Sequence, residues 1–307
     1  MVLLVKVGSA HFDQQHHKKE GWALRRLRER IFAGATMKVQ HLKETLPAWL
    51  VNVLIIVLTS LFFLFLGIPL VGLLFREPPA AIWQELLQPD IFQALQLSIV
   101  TTTLSTLIAC LLGLPVAYLL ARKRFFGRGL LETLVTLPTV LPPVVAGVAL
   151  LLTFGRMGIL GHYLALLNIT IPFTTVAVVM AQTFIAAPFF VNSAKAGLEQ
   201  LDRRYEMAAY TLRASPLYAF VHVTLPLIRP ALLSGIGLCW ARALGEFGAT
   251  ITFAGNFPGT TQTMPIAVYI ASESDLDKSI ALAVVLLAVS FGILLALRFG
   301  PQVHRSR

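Results

Sequence analysis

Two charges stand in a stretch of this chain that is otherwise apolar or small. In GIGLCWARALGEFGATITFAGN, Arg242 and Glu246 lie four residues apart, a spacing that lets them pair along one helix face. A charge at membrane depth costs about 2.5–3.5 kcal/mol, so it faces a partner or a water-filled path. Two readings stay open: a structural ion pair that holds a bundle together, or an arginine on an anion route whose paired glutamate prevents tight trapping. Leu238, Arg242, Glu246 and Thr250 form one stripe of the predicted helix. Beside it Gly237, Ala241, Gly245 and Ala249 recur every four residues, which permits close helix approach. Upstream, Pro138, Pro142 and Pro143 remove backbone donors and kink or unwind their helix, as happens where backbone lines a cavity or hinge; a simple packing kink is the alternative.

A second informative stretch is KAGLEQLDRRYEMAAYTLRASPLYAFVHVTLPLIRPAL, which begins at Lys195. Leu198, Leu201, Tyr205, Ala208 and Ala209 fall at spacings of three and four, predicting a short amphipathic helix with Arg203, Arg204 and Glu206 facing elsewhere. Ser215 followed by Pro216 reads as a helix start, because the hydroxyl accepts from orphan amides and proline suits the first turn. The prediction is helix, turn, helix, with Pro226 and Pro230 marking a return into a fifth span. An interfacial loop packed on the spans is the plainer alternative.

Other chemistry is missing from the sequence. No Gly-Lys dipeptide occurs, so the phosphate loop GxxxxGK[ST] is absent, as are HExxH, CxxC and GxSxG. Cys110 and Cys239 lie inside apolar runs and read as small hydrophobes. No metal ligand set is expected; His11, His16 and His17 have nothing to fix their geometry.

The elements that must position these residues follow from composition. The 307 residues are 56% hydrophobic and 13% charged, against about 25% charged in soluble domains. Uncharged runs long enough for a bilayer predict an all-α integral membrane protein with about six spans, near 48–75, 91–121, 131–154, 172–194, 230–254 and 279–299. The predicted organisation is a basic N-terminal tail (1–46), a transmembrane domain (47–300, with the connecting loop at about 195–229) and a short C-terminal tail (301–307). The formal charge of +10 is distributed by side. Lys and Arg crowd the first tail, the 122–128 and 195–229 connections and the residues after 297, while the opposite connections hold Arg76, Arg156 and Lys278. The rule that inner loops are positive puts both termini in the cytoplasm. In the tail, EGWALRRLRERIF reads as a helix on an anionic inner leaflet, as a disordered tail, or as sequence upstream of a start at Met37.

Glu206, Ala208, Ala209, Ala214, Ser215 and Leu225-Pro226 resemble the EAA loop of bacterial ATP-binding-cassette importer permeases. ARALGEFGATITFAGN, TQTMPIAVYI and LPTVLPPVVAGVALLLTFGRMGILG resemble the permease subunits of molybdate importers and, less closely, those of sulfate/thiosulfate importers. The resemblance covers about Pro89 to Arg298. It implies the type I importer permease fold in the cytoplasmic membrane, with a coupling loop built from Glu206, Ala208, Ala209, Arg213, Ala214, Ser215 and Pro216. Arg213 departs from the family's usual glycine and must either accept strain or keep helical geometry. The resemblance further implies a translocation pathway or gate including Pro142, Pro143, Arg242, Glu246 and Thr250. The implied partners are a second copy, two ATP-binding subunits that carry ATP and Mg, and an external oxyanion-binding protein. This chain itself is expected to bind no cofactor, no nucleic acid and no metal, and to catalyse nothing. The implied function is ATP-driven import of molybdate or tungstate by alternating access. Sulfate/thiosulfate import is the alternative; an ion-coupled secondary transporter leaves the EAA-like loop unexplained.

Overall fold

A computed structural model describes residues 48–299, and all regular structure among them is helical. The readings made on the basic N-terminal tail and on residues 301–307 lie outside the described residues. Helix α1 (Ala48–Arg76) has 29 residues, or about 44 Å at 1.5 Å per residue, enough for a bilayer core. The chain divides at Val71–Gly72, within α1, and the elements from α2 onward belong to the second unit.

That unit begins with α2 (Pro79–Leu86) and α3 (Pro89–Arg122), followed by α4 (Arg128–Val140) and α5 (Pro143–Phe154). After the short α6 (Gly161–Leu166) comes α7 (Thr175–Gln200), then α8 (Arg204–Thr211) and α9 (Pro216–Ala219). A π-helical stretch, Phe220–Thr224, leads into α10 (Leu225–Leu244); α11 (Gly248–Ala254), α12 (Met264–Ser274) and α13 (Leu276–Phe299) complete it. Among the described residues five helical segments are long and apolar enough to cross a membrane, and the α4–α5 pair makes six if counted as one span.

Three apolar clusters hold the second unit together. Ala109, Ala117 and Leu120 of α3 pack with Phe190, Val191 and Leu198 of α7 and with Ile228 and Ala243 of α10. Ala146 and Leu150 of α5 pack with Val178, Ile185 and Phe253, which joins α5, α7 and α11. Ile91 and Ala94 of α3 meet Met264 and Ala267 of α12 and Leu282 of α13. Where α7 crosses α10, small residues set the separation: a Cβ on Gly235 would lie 2.9 Å from that of Ser193, whose hydroxyl donates to the Ala231 carbonyl at 2.8 Å. Between bilayer helices such close approach supplies the packing that the hydrophobic effect cannot.

The third span breaks at the prolines, as their spacing predicted: Pro142 and Pro143 follow the end of α4 and start α5, and the axis turns by 115° between them. Two expectations need correction. The fifth span is not continuous to residue 254. Helix α10 stops at Leu244, and Gly245, Glu246 and Phe247 separate it from α11, so the small-residue and charge stripes drawn through Ala249 and Thr250 do not lie on one helix. Pro226 and Pro230 do not mark a separate re-entry either. The segment Pro216–Leu244 runs on as a single span-length unit through the π-helical stretch, with Pro226 just past that stretch and Pro230 inside the helix; each proline costs the helix one amide donor without ending it.

Candidate functional site

Among the described residues of the second unit, two groups concentrate the buried charge, one around Glu206 and one around Glu246. The first surrounds α8. Its eight residues are too few for an isolated helix to be stable in water, so its orientation depends on what holds it. Leu198 and Leu201 belong to α7 and its C-cap, and the chain restarts as α8 at Arg204. Glu206 does not face outward as the spacing predicted. It is buried, and Arg122 at the end of α3 donates to its Oε1 at 3.0 Å. The Thr224 hydroxyl donates to the same oxygen at 3.0 Å. Tyr205, Met207 and Leu212 are exposed instead. The helix is therefore amphipathic in the reverse sense: one buried carboxylate anchors it and apolar side chains face solvent. Ala208 is exposed, and Ala209 and Ala214 are half-buried.

Helix α8 ends in a Schellman turn. The Arg213 amide donates to the Tyr210 carbonyl at 3.0 Å and the Ala214 amide to the Ala209 carbonyl at 3.1 Å, while Arg213 takes φ 62°. This is the left-handed position that glycine normally fills, so of the two outcomes open to Arg213 the chain adopts strain. Ser215 then caps the next helix as predicted, its hydroxyl accepting the Tyr218 amide at 3.2 Å with Pro216 in the first turn.

The second group lies at the two helix breaks. Glu246 sits in the gap between α10 and α11 and is 1% exposed. Its Oε1 accepts the Ala249 amide at 2.9 Å, satisfying an orphan donor of the first turn of α11, and Arg242 Nη2 lies 2.7 Å from its Oε2. Arg242, in the last turn of α10, keeps 30% of its side chain exposed. Glu246 thus has two tasks: it caps α11 and holds the guanidinium beside the break. The break of the third span lies against this one. A Cβ on Gly248 would come within 2.8 Å of Pro143 Cβ, and one on Gly147 within 2.7 Å of Thr252 Cβ. Pro142 and Pro143 are exposed; Thr250 is fully buried with its hydroxyl unpartnered.

The structure brings Pro143, Glu246 and Arg242 into one region and gathers Glu206, Arg213, Ser215 and Pro216 into another. Sequence reasoning missed Arg122 and Thr224. Arg122 stood out only as one of the basic residues of its connection, and nothing in a separation of 84 residues marks it as the partner of Glu206. The break at residue 245 did carry a signal, the two glycines flanking Glu246 and Phe247. Among the described residues no group of His, Cys, Asp or Glu could hold a metal ion.

Residues 113–300 match the family described as "Binding-protein-dependent transport system inner membrane component". The Molybdenum transport system permease protein ModB of Mycobacterium tuberculosis is 43% identical over 226 residues, which is 74% of this chain and 86% of that protein. The Sulfate transport system permease protein CysT of Escherichia coli is 35% identical over 256 residues, covering 80% of this chain and 92% of the relative. Among solved structures, a bacterial transporter that imports the acidic polysaccharide alginate matches with a TM-score of 0.65 at 16% identity, over 81% of this chain and 94% of that one. The MetNI methionine transporter in an inward-facing conformation matches with a TM-score of 0.53 at 18% identity, over 72% and 96%. These structures share the fold.

Proposed function

Because the chain belongs to the binding-protein-dependent transport system inner membrane components, we propose that it is the membrane-spanning subunit of an ATP-driven importer of molybdate or its analogue tungstate. The observation that carries the mechanism is the reversed amphipathicity of α8. A short helix outside the long spans, anchored by one buried carboxylate and showing Tyr205, Met207 and Leu212 to solvent, is built to be covered by a second protein. That partner is a separate ATP-binding subunit, present in two copies under a homodimer of this chain. ATP and Mg belong to it, since the sequence has no phosphate loop. An external oxyanion-binding protein delivers the substrate, and both termini face the cytoplasm.

In this reading, closure of the ATP-binding subunits moves α8, and the paired breaks open the path outward. Arg242, whose side chain stays 30% exposed, supplies the cation that the tetrahedral dianion meets in passing. Glu246 neutralises the arginine enough to allow release. Pro142, Pro143 and Thr250 line or support the same place. The substrate rests on the molybdenum-transport relatives, and sulfate stands second through the 35% identical relative.

The test is energy-dependent uptake of labelled molybdate by cells with and without the gene, repeated under excess sulfate. Gene-dependent uptake that resists sulfate supports the reading; uptake abolished by sulfate transfers it to sulfate/thiosulfate. Uptake that persists without cassette subunits indicates an ion-coupled transporter.

A further inference from the structure

The α8 anchor is wider than one ion pair. Arg122 uses separate nitrogens for separate elements: Nη2 donates to Glu206 Oε1 at 3.0 Å and Nη1 to the Leu201 carbonyl, the C-cap of α7, at 3.2 Å. Its own carbonyl accepts from Arg203 Nη2 at 3.0 Å. Both side chains of the pair are largely buried, 7% and 11% exposed. On the far side, Thr224 closes the π-helical stretch and donates to the same Glu206 oxygen, while Phe220, which opens that stretch, meets Tyr118 of α3 edge to face at 5.2 Å. Two elements meet on the Glu206 carboxylate, the end of α3 through Arg122 and the base of α10 through Thr224, and the same arginine ties in the α7–α8 turn at the Leu201 carbonyl. Helix α3 has 34 residues, about 51 Å, so a tilt at its Arg122 end reaches the opposite membrane face. The π-helical stretch is the wide, strained turn at which a helix can change register.

We propose that Arg122 and Thr224 are positioning residues for energy coupling, which deliver movement of α8 to α3 and α10 at once; this rests on the reading of α8–α9 as the seat of the ATP-binding subunit. Arg122 is suited to the task because a planar guanidinium bonds two acceptors in fixed directions, which the single ammonium of lysine does not reproduce. Without the clamp, α8 would still bind its partner through Tyr205, Met207 and Leu212, but its movement would reach the spans only along the covalent chain.

The experiment uses the full complex, purified with its ATP-binding subunits and placed in liposomes, and reads ATP hydrolysed per molybdate transported. Arg122→Lys and Thr224→Val are chosen because each keeps the volume close to native. The expectation is normal copurification with a ratio raised about threefold to tenfold in Arg122→Lys, the effect of losing one or two hydrogen bonds, and less in Thr224→Val. Native ratios in both variants would overturn the clamp alone. Loss of assembly with no change of ratio in the complex that remains would also overturn it, leaving Arg122 a folding role. A native chain that retains no ATP-binding subunit would overturn the seat and this inference together.

Discussion

Among the described residues two buried glutamates each meet an arginine, and they are wired differently. Glu206 pairs with Arg122 across 84 residues of sequence and shares its oxygen with Thr224; neither partner is open to solvent. Glu246 pairs with Arg242 within one turn, caps the adjacent helix, and leaves the arginine 30% exposed. A pair that bridges distant elements couples them and must be satisfied on both sides. A local pair constrains only its own turn and leaves donors free. The same two side chains thus make a joint in one place and a held charge in the other.

That contrast predicts an asymmetry in stability, measured by thermal or denaturant unfolding of the purified chain in detergent. Removing either partner of the joint leaves the other a buried charge without its counter-charge, held only by the Thr224 hydroxyl or the Leu201 carbonyl, so Glu206→Ala and Arg122→Ala should each cost about 3–5 kcal/mol. Similar losses in both would support the wiring; a loss confined to one would break it. At the helix break the two losses should differ. Arg242→Ala strands a carboxylate that keeps one amide donor and should cost about 2–3 kcal/mol, whereas Glu246→Ala leaves a part-exposed arginine that can reach water and should cost about 1–2 kcal/mol. Arg242→Ala should also abolish molybdate uptake by an assembled complex; unchanged uptake would reduce the pair to a structural one.

Smaller effects sharpen the description of the loop region. Ser215→Ala removes the cap of α9 and should cost about 1 kcal/mol. Arg213→Gly should raise stability by about 0.5–1 kcal/mol, because glycine relieves a left-handed strain of about 1–2 kcal/mol and gives back part of it to a more flexible unfolded chain. An unchanged or lower midpoint would mean that the Arg213 side chain makes compensating interactions.

Much of this was legible in the sequence. Uncharged runs marked the spans because a bilayer sets their length, and Ser215-Pro216 marked a helix start because capping is local chemistry. The strain at Arg213 was one of two outcomes that the resemblance left open, and the left-handed turn decides it. The inward turn of Glu206 was not, since periodicity counts a glutamate as polar and assigns it to the outer face; only partners from α3 and the π-helical stretch reverse that. The break after Leu244 was hidden by the regular recurrence of Gly237, Ala241, Gly245 and Ala249, a pattern that fits an unbroken helix equally well. The glycines flanking Glu246 and Phe247 and the local capping of α11 by Glu246 were the competing signal, which the four-residue recurrence outweighed.

The meeting of the two breaks has an electrical consequence. Helices α4 and α5 have 13 and 12 residues, about 20 and 18 Å, so neither alone crosses a hydrocarbon layer of about 30 Å. Where helices stop short, water can follow the backbone inward, and the membrane voltage then falls across the thin layer that remains dry. Arg242 and Glu246 stand at the break between α10 and α11, which packs against Pro143 at the start of α5. A dianion drawn into a cell that is negative inside works against about 4.6 kcal/mol per 100 mV, twice the cost for a single charge. In the proposed pathway most of that work would be done over the few ångströms around the break, where Arg242 would meet the dianion.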